Sequence, residues 1–256
     1  MDNIMLVRHP FFVLPLSFLL MWLSAQIGTL FRNRRPDLGE DVHQDNAVIV
    51  SATLTLLALI IGFTFSMAIG RYDQRKDYEE AEANAIGTEY VRADLLPADD
   101  AARVRALLKE YVDARVRFYE TGDEPELQRV ITHTEQLQSD LWAAVKTPAN
   151  ARPSPVLALA LTGMNDVINS QGYTQAGWWN RIPVGAWILM TVLAIWANLL
   201  VAYAARRSQG TLRLMFLPLI LCVAFFLIAD LDSPRKGVIR VLPQNLVSLA
   251  HSLQGH

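Results

Sequence analysis

Residues 47–97 read AVIVSATLTLLALIIGFTFSMAIGRYDQRKDYEEAEANAIGTEYVRADLLP. The opening part, Ala47 to Ile69, is uncharged and apolar, and it exceeds the ~20 residues a helix needs to cross a bilayer. It runs into a charged segment with no proline or turn signal before Pro97, which predicts one long helix, half in lipid and half in water. In the wet half Arg75 and Glu79, and Lys76 and Glu80, stand four residues apart with opposite charge, pairs that support a solvated helix.

The rest of the composition agrees with a membrane protein. Of 256 residues, 52% are hydrophobic, and the long uncharged runs exclude an ordinary soluble domain. The net charge of -2, with basic residues interleaved among acids, argues against a nucleic-acid partner. The single cysteine, Cys222, lies in an apolar run, so one chain holds neither a disulfide nor a cysteine metal site. Arginine outnumbers lysine and alanine is abundant, a pattern of GC-rich bacterial genomes; the expected location is the bacterial cytoplasmic (inner) membrane.

Working outward, a first span is expected from Phe11 to about Phe31. A signal peptide is the rival, but Leu23 is too large for the position two before Ala25, and the run continues past it. The segment RNRRPDLGEDVHQDN (32–46) reads as a loop, with His43 solvated between Asp41 and Asp45. A third span is expected from Pro183 to Ala204, with Trp178 and Trp179 beside Arg181 as an interfacial belt. The basic loop ARRSQGTLR (205–213) leads to a fourth, from Leu214 to Ile228. Between spans two and three lie three amphipathic helices, with Pro148, Pro153 and Pro155 breaking the second from the third.

The expected fold is therefore an all-α membrane protein of four transmembrane helices. An extramembrane helical bundle is inserted between spans 2 and 3, and the second span continues into it. The divisions are 1–69 for the first two spans, 70–180 for the helical head, 181–231 for spans three and four, and 232–256 for an amphipathic tail. Ser233 and Pro234 read as the N-cap and first residue of that tail helix. His133 is the head's only histidine and no activated nucleophile accompanies it, so no catalytic residue, enzyme or cofactor is expected.

Two groups of residues carry the functional expectation. Ser51, Thr55, Ala58, Gly62 and Ser66 recur at steps of four, three, four and four, placing small or hydroxyl side chains on one helix face. That face either admits another helix closely or lines a narrow polar path. The neighbouring Ile61, Phe65 and Ile69 would form a hydrophobic neck if several copies met around an axis. The second group gathers where the spans meet water: Arg71, Asp73 and Arg75 on one segment and Asp230, Asp232 and Arg235 on the other. Salt bridges are the simpler expectation there, with Asp230 and Asp232 as calcium ligands the weaker one. The basic residues of the short loops fall on both sides of the membrane, so the orientation stays open.

LALIIGFTFSMAIGRYDQRKDYEEAEANAIGTEYVRADLLP (57–97) and DLDSPRKGVIRV (230–241) resemble the two signature stretches of a bacterial family of multi-pass membrane proteins with a bestrophin-like domain. The resemblance extends over the whole architecture. It implies a homo-oligomer, pentameric as bestrophins are, whose second span lines a pore for small inorganic anions. The alternative is a non-conducting scaffold or sensor whose head binds a protein partner. A channel needs the small-residue face open, and a scaffold needs it buried against another span.

Overall fold

A computed structural model of the chain describes residues 9–34, 40–205 and 214–255. Among these the secondary structure is helical throughout, without strands. The helices are α1 (Pro10–Asn33), α2 (Glu40–Arg92), α3 (Ala98–Glu120), α4 (Glu124–Ala151), α5 (Pro155–Trp179), α6 (Val184–Ala204), α7 (Phe216–Asp232) and α8 (Gln244–Gln254). The long helix expected from the sequence is α2, 53 residues from Glu40. Its first turns take in part of the segment read as a loop around His43. The basic loop 205–213 lies almost wholly outside the described residues.

The chain forms two compact units, one of residues 1–71 and 181–240 and the other of 72–180 and 241–256, with the first of the three boundaries inside α2. Among the described residues, three helical stretches are long and apolar enough to cross a membrane: Pro10–Asn33, Asn46–Leu95 and Pro155–Ala204. The protein is membrane-embedded. The expected fourth span, α7, has 17 residues, about 25 Å at ~1.5 Å per residue, against a hydrocarbon core of about 30 Å.

In the first unit α1 packs against α6 and α7. Lipid removes the hydrophobic drive between apolar helices, so close approach of small residues has to hold them. Ser17, Ser24, Ala25 and Gly28 form the buried side of α1. Ser24 donates its hydroxyl to the carbonyl of Ile195 at 2.6 Å. A Cβ on Gly28 would lie 2.4 Å from the Leu199 carbonyl oxygen, so glycine sets that approach. Phe11, Phe12, Leu30 and Phe31 are left exposed on the same helix, the apolar surface that lipid solvates.

The second unit is a helical bundle with its own core, built from the charged half of α2, from α3, α4 and α5, and from α8. Asp123 accepts from Glu126 N at 3.3 Å and Ser154 from Leu157 N at 3.2 Å, so side chains cap α4 and α5. Several expectations change here. Pro148 does not break α4 but sits buried within it, and the helix runs on to Ala151. The third amphipathic helix runs on to Trp179, so Trp178 belongs to the bundle. Its indole is buried against Phe118 and Tyr119, with ring centroids 5.1 and 5.4 Å away, because the core offers a larger apolar contact than an interface. Ser233 ends α7 instead of starting a helix, and the tail helix begins only at Gln244, burying Leu246 and Leu253 in the bundle.

Candidate functional site

The apolar half of α2 buries one narrow seam, Leu57, Thr64 and Ala68, at 2, 3 and 0% exposure. Steps of seven and four keep these three on one side of the helix. Ser51, Thr55, Ala58, Gly62 and Ser66 are all exposed, on the other side. At 100° per residue they share an arc of roughly 80° and extend over ~22 Å of helix. A Cβ on Gly62 would meet nothing within 4 Å. Ile69 projects from the same arc and Phe65 from about 20° beyond it, both exposed, while Ile61 stands about 60° beyond its edge, next to the buried seam, and is half-buried. The hydroxyl of Thr55 donates to the carbonyl of Ser51 at 2.9 Å, which turns its oxygen lone pairs outward. An open groove along Ala47, Ser51, Thr55 and Leu59 continues this surface.

The residues expected to form a charge cluster divide between the two units. Asp230 and Asp232 do not meet water; they are 1 and 2% exposed, in the last turn of α7. Both Asp230 oxygens accept main-chain bonds, Oδ1 from Val238 N at 2.7 Å and Oδ2 from Ile239 N at 2.8 Å. A Cβ on Gly237 would lie 2.7 Å from the Asp230 carbonyl oxygen, so the turn closes directly on the aspartate. Asp232 accepts from Ile182 N at 3.0 Å, fastening the start of α6 to the end of α7. These carboxylates shape a turn and a helix junction, which is why the Ser233-Pro234 pair cannot begin a helix there. Among the described residues no three histidine, cysteine or acidic side chains gather as a metal site. Arg71 reaches back along α2 to the Met67 sulfur at 3.7 Å, Asp73 is exposed, and Arg235 is half-buried.

In the second unit, α2 turns a charged seam inward. Arg75, Glu79, Glu82, Ile86, Glu89 and Ala93 follow steps of four and three, and each is 2% exposed or less. The expectation that Arg75 and Glu79 form a solvated pair is therefore overturned, while Lys76 and Glu80 are exposed. Arg75 donates to the Gly177 carbonyl at 3.2 Å, in the last turn of α5, where carbonyls have no partner within the helix. Glu79 accepts from Leu246 N at 2.9 Å and Asn245 Nδ2 at 2.7 Å, and so caps the N-terminus of α8. Glu82 pairs with Arg115 of α3 and accepts from the Thr174 hydroxyl of α5 at 2.9 Å.

Burial works to lower the Arg115 guanidinium, but the Glu82 carboxylate, with Tyr111 and Tyr119, outweighs it and holds Arg115 above its usual value. Burial first, and Glu82 second, push the Tyr111 and Tyr119 hydroxyls well above the ordinary phenol range. The sequence signal for this seam was its four-three spacing with Ile86 and Ala93 on it. The acids concealed it, because a buried seam is ordinarily recognised by its apolar residues.

The family model of the bestrophin-like domain matches residues 16–246. No curated protein matches the chain. Among solved structures, the bacterial bestrophin homologue from Klebsiella pneumoniae aligns at 14% identity over 95% of each chain, with a TM-score of 0.66. A single-residue variant of that homologue aligns at 14% identity over 96% of this chain and 97% of its own, with a TM-score of 0.67. At that identity the likeness is one of fold.

Proposed function

The chain belongs to the bestrophin-like domain family, and from that premise we propose that it is an oligomeric membrane channel whose pore is lined by the apolar half of α2. The observation that carries this reading is the open face of Ser51, Thr55, Ala58, Gly62 and Ser66. Small residues on a membrane helix ordinarily receive a neighbouring helix, yet among the described residues this face receives none, and α2 buries its opposite seam instead. Copies of α2 around an axis, five by family resemblance, cover the face and enclose a path along it. Phe65 and Ile69, with Ile61 beside them, then form a neck that gates by dewetting. The short α7 serves as the fourth span.

Small inorganic anions are the proposed cargo, drawn by the basic residues at the helix ends. The test is flux from proteoliposomes of purified protein under separate chloride and sodium gradients, against empty vesicles. Phe65→Ala is expected to raise flux several-fold by widening the neck. Gly62→Trp, whose Cβ would meet nothing within 4 Å, is expected to abolish flux while the protein keeps its fold. A sodium current without chloride current would overturn the anion assignment, and no flux from folded protein would leave the scaffold reading in its place.

A further inference from the structure

Four charged residues sit on the buried seam of α2, and three of them have defined tasks: Arg75 caps α5, Glu79 caps α8, and Glu82 joins α3 and α5. The fourth, Glu89, is 0% exposed and neither of its carboxyl oxygens has a hydrogen-bond partner. Its side chain lies directly over Gly163 of α5. A Cβ there would fall 2.0 Å from Glu89 Oε2 and 2.5 Å from Arg92 Nη1, so the absence of a side chain at residue 163 makes room for both. The neighbouring helix supplies no donor at this point, only a bare backbone.

An ionised carboxylate in such a place lacks both water and hydrogen bonds, whereas a protonated one is neutral and tolerates it. Two charges act on the group: Arg92 on its own helix, which favours ionisation, and Asp166 on α5, which opposes it. Asp94, five residues on and exposed, pairs with Arg105 of α3. Burial outweighs Arg92 and, with Asp166 acting in the same sense, lifts Glu89 from 4.5 to about 8.

We propose that Glu89 is a proton-binding site of the helical unit, packed as a neutral carboxyl against Gly163 and loosening the contact between α2 and α5 when it ionises. The sign of the pH dependence follows. The folded value is the raised one, so the contribution is fully present below the unfolded value of 4.5 and is lost as pH rises through about 8. Because α2 is one continuous helix from Glu40 to Arg92, the same proton would bear on the pore; that last step alone rests on the channel reading.

Infrared difference spectroscopy of the full-length protein in detergent tests the site. A protonated carboxyl has a C=O stretching band that ionised carboxylates lack. At neutral pH, where ordinary carboxyls are ionised, the wild-type protein is expected to show this band, and Glu89→Gln to lose it. The thermal midpoint of the wild type is expected to fall across the interval from 4.5 to about 8, with a smaller fall in Glu89→Gln, which mimics the neutral form. Equal band intensity in the two proteins at neutral pH, or equal pH slopes of their midpoints, would overturn the proposal. Neither readout requires conduction. A protein that carries no ions but still titrates at Glu89 removes the pore and leaves the proton site.

Discussion

Arg115 and Glu82 show what a charge costs when it is moved from water into a core. Both are at most 1% exposed, and each is tolerable only because the other is there, with Thr174 completing the set. Breaking a buried pair from one side strands the remaining ion, at about 3–5 kcal/mol. Arg115→Leu is accordingly expected to destabilise the protein by about that amount in equilibrium unfolding, and adding Glu82→Gln to recover part of the loss, since the stranded charge is then removed. If the single variant unfolds like the wild type, the pair has no such coupling. The same logic sets Glu89 apart, a buried acid with no cation in hydrogen-bond reach.

At the scale of elements, glycines report which helix faces are occupied. Gly28 of α1 presses on α6, where an added Cβ would meet the Leu199 oxygen at 2.4 Å and Ala202 Cβ at 2.9 Å. Gly62 of α2 has nothing within 4 Å. Gly28→Ala is therefore expected to lower the thermal midpoint in detergent, in line with the ~1–3 kcal/mol that overpacking costs. Gly62→Ala is expected to leave it unchanged. Equal effects would mean that α2 is covered as closely as α1. The sequence showed small residues on both helices but not which set was filled, since occupancy depends on a partner helix remote in the chain.

For the whole molecule, the proposed pore requires further copies to cover the open face of α2. Ala58 lies on that face, Leu57 on the buried seam, and the single cysteine, Cys222, is buried. In a Cys222→Ser background, Ala58→Cys is expected to form disulfide-linked dimers under mild oxidation in the membrane, and Leu57→Cys to form none. A monomeric Ala58→Cys protein would exclude α2 from a central axis and with it the pore.

The uninterrupted run from Ala47 to Pro97 was enough to establish a helix too long for one environment, and apolar length alone established the membrane. Both follow from local chemistry: no breaker, and sufficient hydrocarbon to replace water. The fate of the charged half did not follow, because a glutamate four residues from an arginine looks the same whether it faces solvent or a core. The structure turned Arg75, Glu79 and Glu82 inward by supplying helix ends and an arginine from distant segments. Asp230 likewise seemed a surface acid until a turn folded back so that its amides filled both carboxylate oxygens. Buried charge is decided by partners, and partners remote in sequence come together only in the tertiary fold.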